Sequence, residues 1–185
     1  MEDKKILFWE ESYKNEGISA FGVNPNPEVK DYVELFNKNG KVLEAGCGEA
    51  KNAFFLIENG FNDVSAFDLS ENAIKKVHKI AESKRANINA FIQDLCMFQW
   101  EYKYDLVISY GTLHFVKNDG WHKFLTDAKE HTNYGGFHVI QIWGCGQKPG
   151  PRLRQAGTLK PENFYHQSYG LIFGVNRHNY SLGNE

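Results

Sequence analysis

Val42-Leu43-Glu44-Ala45-Gly46-Cys47-Gly48-Glu49-Ala50 is the stretch that decides the fold: an apolar run enters a glycine-rich turn, and helical periodicity follows it. Gly46 and Gly48 permit a tight turn and let the backbone come close to a ligand, where a Cβ atom would collide. Outward from this turn, short apolar runs alternate with helical segments, the pattern of a parallel sheet with crossover helices. The runs are Val42-Leu43, residues 64–67, Ala90-Phe91-Ile92, Leu106-Val107-Ile108 and residues 137–142. Their brevity suits strands buried on both faces, so the expected class is α/β, with a mostly parallel Rossmann-like sheet and helices on both sides.

The segments between these runs read as helices. Ser70 is placed to cap one whose apolar positions Ala73, Ile74, Val77, Ile80 and Ala81 share a face. Trp121, Phe124, Leu125 and Ala128 repeat that pattern before the fifth strand, and Gly135-Gly136 is expected to end the run. Before residue 41 the sequence predicts a helical prefix anchored by Phe8, Trp9 and Tyr13, then a turn at Asn24-Pro25-Asn26-Pro27 and a second helix over 28–37. After Trp143, glycines and prolines break regular structure. One further strand is expected, at Leu171-Ile172-Phe173. Residues 1–185 thus read as a single domain: a prefix or lid (1–40), a ligand-binding core (41–142) and a loop with a terminal strand (143–185).

Composition narrows the function. A formal charge of -2, with no basic stripe, gives no electrostatic reason to bind nucleic acid. Strand four also lacks the Asn/Asp-Pro-Pro-Tyr sequence of amino-methylating DNA enzymes. Cys47, Cys96 and Cys145 are odd in number and far apart, which fits reduced thiols better than a disulfide framework. No segment approaches membrane-spanning length and none reads as a leader, so a cytoplasmic protein is expected. The seven histidines form no zinc-helix spacing, and no metal site is expected.

The turn at Gly46 gains meaning from Asp68, which ends the second strand where a Rossmann-like site places a carboxylate for ribose hydroxyls. A dinucleotide fingerprint would need glycine at position 51, which is Lys51. An acidic residue followed by G-x-G suits S-adenosylmethionine (SAM), whose amino group gives Glu44 a use that NAD would not; the competing reading pairs Glu44 with a backbone amide or a lysine. Asp94 and Leu95 follow strand three and are placed for adenine, with Leu69 beside Asp68 and Tyr110 at the end of strand four. Cys47 reads as a small loop residue beside the cofactor rather than a nucleophile. His114 is the candidate to orient an acceptor or take its proton, with a packed histidine as the alternative. Trp9 and Tyr13 form either a lid over SAM or a core stripe, and Arg152 and Arg154 either solvated charges or an anion contact.

Residues 8–13 (Phe-Trp-Glu-Glu-Ser-Tyr), 46–52, Phe67-Asp68-Leu69-Ser70 and residues 104–109 resemble SAM-dependent methyltransferases of the tellurite-resistance type, relatives of thiopurine S-methyltransferase. The resemblance runs from about Phe8 to Ile142. It implies a class I methyltransferase fold, SAM as cofactor and a small-molecule acceptor such as a thiol or a chalcogen oxyanion. A SAM-binding module without catalysis and a nicotinamide oxidoreductase are the alternatives. The sequence departs from the family at Ala50 and Lys51, where Gly and Arg are usual. The family also ends in an antiparallel strand pair, against one candidate strand here, so either a shortened chain or an open sheet edge is expected.

Overall fold

The computed structural model describes residues 4–15, 17, 19–116, 120–142, 152–153 and 169–174. Five helices, α1 (Lys4–Tyr13), α2 (Pro27–Asp31), α3 (Lys51–Glu58), α4 (Glu71–Lys84) and α5 (Gly120–Glu130), surround strands β1 (Lys41–Ala45), β2 (Asp63–Asp68), β3 (Asn89–Ile92), β4 (Tyr104–Tyr110), β5 (Thr132–Ile142), β6 (Arg152–Leu153) and β7 (Tyr169–Gly174). The sheet order is β3-β2-β1-β4-β5-β7-β6. Strands β1 to β5 are mutually parallel, with Val42 beside Leu106 and Glu44 beside Ile108. Because the chain winds outward from β1 to β3 and then returns to β4, the winding reverses between β1 and β4. Open α/β sheets bind ligands at the carboxyl ends of the strands flanking such a reversal.

Each sheet face buries one cluster. Val42, Leu106, Ile108 and Val139 pack with Ala53 and Leu56 of α3, Ile74 and Val77 of α4, and Val29, Val33 and Phe36 of the prefix. On the other face Leu43, Ala45, Val107 and Ile140 meet Phe124 and Ala128 of α5, Leu95 and Leu113. This is why the strands read as unbroken apolar runs rather than alternating ones. The Ser70 hydroxyl caps α4 as expected, accepting from the Ala73 amide at 3.1 Å. Among the described residues no helix is long and apolar enough to cross a membrane.

Three expectations need correction. The helix expected over 28–37 breaks at Tyr32 (φ -113°, ψ 11°) into α2 and a 3-10 turn, Val33–Leu35, and Phe36 is already extended. Gly135-Gly136 does not end α5, which stops at Glu130; both glycines lie inside β5, in a bulge where pairing jumps from Thr132 to Phe137 against Tyr104 and Leu106. Gly135 has φ +79°, which suits the bulge. Among the described residues two strands rather than one follow β5. β7 lies antiparallel to β5, pairing His138 with Phe173, and β6 runs parallel to β7. The edge of β5 is therefore covered. Arg152 lies on β6, and Arg154 falls outside the described residues.

Candidate active site

The Gly46–Ala50 turn is held by its neighbours on both sides. Gly46 and Cys47 amides donate to the Phe67 carbonyl at 2.8 and 2.9 Å, and the Thr112 hydroxyl donates to the Gly46 carbonyl at 3.2 Å. Gly46 has φ +68° and a Cβ there would lie 2.3 Å from Thr112, so glycine is required twice over. Ala50, where the family usually has glycine, is also left-handed, at φ 56°. Its methyl is fully buried in the core. A buried methyl contributes about 0.8 kcal/mol, comparable with the roughly 1 kcal/mol that a left-handed alanine costs, which explains how alanine is tolerated.

The turn forms the floor of a cavity of ≈ 440 Å³. Trp9, Tyr13, Glu44, Gly46, Cys47, Gly48, Asp68, Leu69, Asp94, Leu95, Tyr110 and His114 all line it, so the structure brings the cofactor-binding candidates and His114 to one place. Asp68 is buried, accepting from the Gly48 amide at 2.8 Å and the Ser70 amide at 2.9 Å. Burial pushes its pKa up despite those hydrogen bonds. The Leu69 amide is a third backbone partner, which leaves lone-pair capacity on the carboxylate for a ligand hydroxyl. Asp94 is exposed at the rim and accepts from the Cys96 amide at 2.8 Å through one oxygen. The Cys47 thiol is buried, and burial raises its pKa well above the usual value, so it stays protonated.

Glu44 takes the alternative role weighed above. Its oxygens accept from Asn52 Nδ2 at 2.7 Å and the Ala53 amide at 2.9 Å, fastening β1 to the start of α3. Full burial raises its pKa to about 7, the hydrogen bonds to Asn52 and Ala53 working against that rise. Asn52 in turn accepts from the Asn26 amide at 2.8 Å, so the same chain of bonds sets the entry to α2.

The prefix supplies the roof, and here Trp9 and Tyr13 divide the two readings between them. Tyr13 is a core residue, 6% exposed, with its hydroxyl against Gly48. Trp9 is half-buried and meets Phe115 edge-on, with ring centroids 4.9 Å apart, and Phe21 at 6.1 Å. Two carboxylates clamp this roof down. Glu10 accepts from the Glu71 and Asn72 amides at 2.6 and 3.1 Å, capping α4 from outside. Glu49 accepts from Ser19 Oγ at 2.5 Å, the Ala20 amide at 3.3 Å and Lys76 Nζ at 2.7 Å. Phe21, Phe115, Asn52, Glu10 and Glu49 were not singled out from sequence. Glu10, Glu49 and Asn52 fall inside the motif stretches 8–13 and 46–52, whereas Phe21 and Phe115 carried no signal.

At the opposite wall, Tyr110 ends β4 with its hydroxyl hydrogen-bonded to Glu28, and burial followed by that carboxylate raises its pKa. His114 sits in the turn Leu113–Phe115 with its pKa lowered by burial, so the ring is neutral at neutral pH. Its Nδ1 is buried and has no hydrogen-bond partner among the described residues.

The sequence matches the family model of the tellurite resistance protein TehB over residues 12–145. The chain belongs to the TehB family. A relative named as a probable S-adenosyl-L-methionine-dependent methyltransferase TehB, from Haemophilus influenzae, is 31% identical over 100 residues, covering 54% of this chain and 35% of its own. The chain thus spans about a third of the length of that curated relative. The crystal structure of TehB from Haemophilus influenzae superposes with a TM-score of 0.58 at 26% identity, over 76% of this chain and 47% of that one. A second solved structure, described by the conversion of a disulfide bond into a thioacetal group during echinomycin biosynthesis, gives 0.62 at 25% identity, over 76% and 62%. The Rossmann-like fold of class I methyltransferases read from the sequence is therefore the fold of this TehB-family member.

Proposed function

We propose that this chain binds SAM in the cavity beneath α1 and methylates a small molecule through a soft nucleophile, a thiol or a chalcogen oxyanion. The observation that carries the reading is the convergence of the glycine turn, Asp68 and Asp94, at three successive strand ends, on one cavity roofed by aromatic rings. Its volume, ≈ 440 Å³, suits a ligand of nucleoside size. Asp68 is the group for the ribose hydroxyls, with Leu69 beside it, and Asp94 and Leu95 are the pair for adenine. Gly46, Cys47 and Gly48 admit the cofactor close to the backbone. Glu44 acts through Asn52 and Ala53, holding that turn in shape. The names of the TehB relative and of the thioacetal-forming structure support the cofactor and a sulfur acceptor respectively.

When bound, SAM supplies a methyl group carried on a positive sulfonium. The protein's own contribution is alignment and exclusion of water, since the transfer is an in-line displacement. Trp9 and Tyr13, which line the cavity, would offer aromatic rings to a cationic ligand, an attraction of about 0.5–2 kcal/mol depending on desolvation. Tyr110 lines the same cavity at the end of β4 and would help to hold the cofactor. His114, neutral and without a partner at Nδ1 among the described residues, takes the proton that the acceptor loses.

Turnover against a panel of thiols, selenite and amines, read as S-adenosylhomocysteine formed, tests the activity. Product that depends on the added thiol or selenite is expected. Full SAM binding with no product from any acceptor would make the chain a binding module instead.

A further inference from the structure

Buried polar side chains in and around the cavity differ in how well they are satisfied. Glu44, Asn52 and Asp68 have protein partners. The buried side-chain atoms without a partner among the described residues are Glu28 Oε2, Ser109 Oγ, His114 Nδ1 and Gln141 Oε1. Of these residues only His114 lines the cavity; Glu28 and Gln141 adjoin its lining residue Tyr110, whereas Ser109 alternates with Tyr110 and faces the α5 side with Val107 and Ile140. Ser109 is the penultimate residue of β4, His114 lies in the turn just after it, Gln141 is the register partner of Tyr110 on β5, and Glu28 is bonded to Tyr110.

Their chemistry is one-sided. Glu28 Oε2 and Gln141 Oε1 can only accept hydrogen bonds, and serine and neutral histidine can accept as well. Folding leaves such atoms unpartnered at a cost, and a ligand that supplies donors recovers it. Gln141 is 4% exposed and cannot be satisfied by bulk water. Tyr110 Oη donates toward Glu28, so its remaining lone pair faces other groups as an acceptor backed by a carboxylate. Two residues before Glu28, the Asn26 amide donates to Asn52, which is bonded to Glu44, so this chain of hydrogen bonds fixes the start of α2.

We infer that the acceptor carries a protonated amine, which the Glu28, Tyr110 and Gln141 side chains recognise at the carboxyl ends of β4 and β5. An oxyanion brings mostly acceptors to a wall of acceptors and meets the Glu28 charge, so the site selects a cationic thiol over an anionic one. This rests on the methyltransferase reading above and narrows its acceptor class.

Three primary alkyl thiols that differ in their second functional group separate the possibilities: cysteamine, 2-mercaptoethanol and 3-mercaptopropionate, titrated calorimetrically into the protein saturated with S-adenosylhomocysteine. Cysteamine is expected to bind at least about tenfold more tightly than 2-mercaptoethanol, and 3-mercaptopropionate more weakly than either. In Glu28→Gln, isosteric and uncharged, the cysteamine advantage should fall below about threefold, and Gln141→Leu should reduce it too. Equal affinities in the wild type, tightest binding of the carboxylate, or an advantage that survives both substitutions would overturn the inference. Failure of S-adenosylhomocysteine itself to bind is a different result: it refutes the cofactor reading, and the amine site falls with it.

Discussion

Replacing Glu10 by alanine tests whether the prefix is a latched roof. In the wild type its carboxylate accepts two amide hydrogen bonds, at 2.6 and 3.1 Å, from the first turn of the 14-residue helix α4, and its carbonyl accepts from Asn72 Nδ2 at 3.1 Å. The backbone bond survives the substitution; the carboxylate bonds and their attraction to the helix N-terminus do not. Glu10 is only half-buried, so each lost bond contributes near the lower end, about 0.5–1 kcal/mol, with about 0.3–1 kcal/mol more from the helix dipole. The freed amides on α4 can find water, so no orphan penalty is added. The sum is roughly 2 kcal/mol, about a thirtyfold shift toward the undocked prefix. Hydrogen exchange followed by mass spectrometry over residues 5–16 reads this directly, since local opening sets the exchange rate. Exchange there should accelerate by about ten- to thirtyfold in Glu10→Ala, while β1 and β4 stay protected, and S-adenosylhomocysteine should slow it in both proteins. Unchanged protection in the variant would mean that Tyr13 and its ring neighbours hold the prefix without the latch, and the reasoning about Glu10 would be wrong.

Other substitutions reach the floor and the core. Asp68→Asn keeps the side chain's volume but sets an amide against one of the backbone N–H groups it now serves; SAM affinity should fall by about ten- to a hundredfold, with a lowered melting temperature as well, and an unchanged dissociation constant would remove Asp68 from the site. Gly46→Ala combines a left-handed backbone with a Cβ 2.3 Å from Thr112, so thermal melting should show a loss of at least about 2 kcal/mol. Two buried groups give opposite pH dependences. Burial lowers His138 to about 4, so the unfolded chain binds a proton that the native state refuses, and stability is lost as pH falls from 6.5 toward 4. Burial raises Glu44 to about 7, so the native state binds the extra proton, and its contribution is lost as pH rises from 4.5 toward 7. Between pH 4.5 and 6.5 the two slopes, each about 1.4 kcal/mol per pH unit, offset each other. Urea unfolding should therefore show Glu44→Gln losing stability on acidification through that window and His138→Gln gaining it; parallel curves would contradict both assignments.

What could be read from the sequence was whatever rests on local chemistry. Gly46, Gly48 and Asp68 belong to a turn and a strand end whose geometry follows from the residues themselves, and they carried the fold and most of the cavity floor with them. Ser70 announced the start of α4 because a capping hydroxyl acts within three residues. The errors fall where distant segments decide. Gly135-Gly136 looks like a helix stop until β4 imposes a bulged register on that stretch. β6, two residues long, exists only through pairing with β7 and has no periodicity to detect. The second prefix helix breaks at Tyr32 because Phe36 must already be extended on its way to Gly40 and β1. The clamps at Glu10 and Glu49 span 61 and 27 residues to their helix α4 partners, and nothing in the intervening sequence marks them. Glu44 shows the same limit inside the motif itself: its type and position were legible, but its engagement by Asn52 and Ala53 emerged only once α3 was in place.

On this reading the cavity under α1 is a SAM site. Calorimetric titration of the wild-type protein with SAM, S-adenosylhomocysteine and NAD tests it most directly. The expected result is one-to-one binding of the first two, with no heat of binding from NAD, because Lys51 replaces the glycine that opens a helix N-terminus to pyrophosphate. Saturable binding of NAD in place of SAM, or no binding of either sulfur ligand to the folded protein, would contradict it.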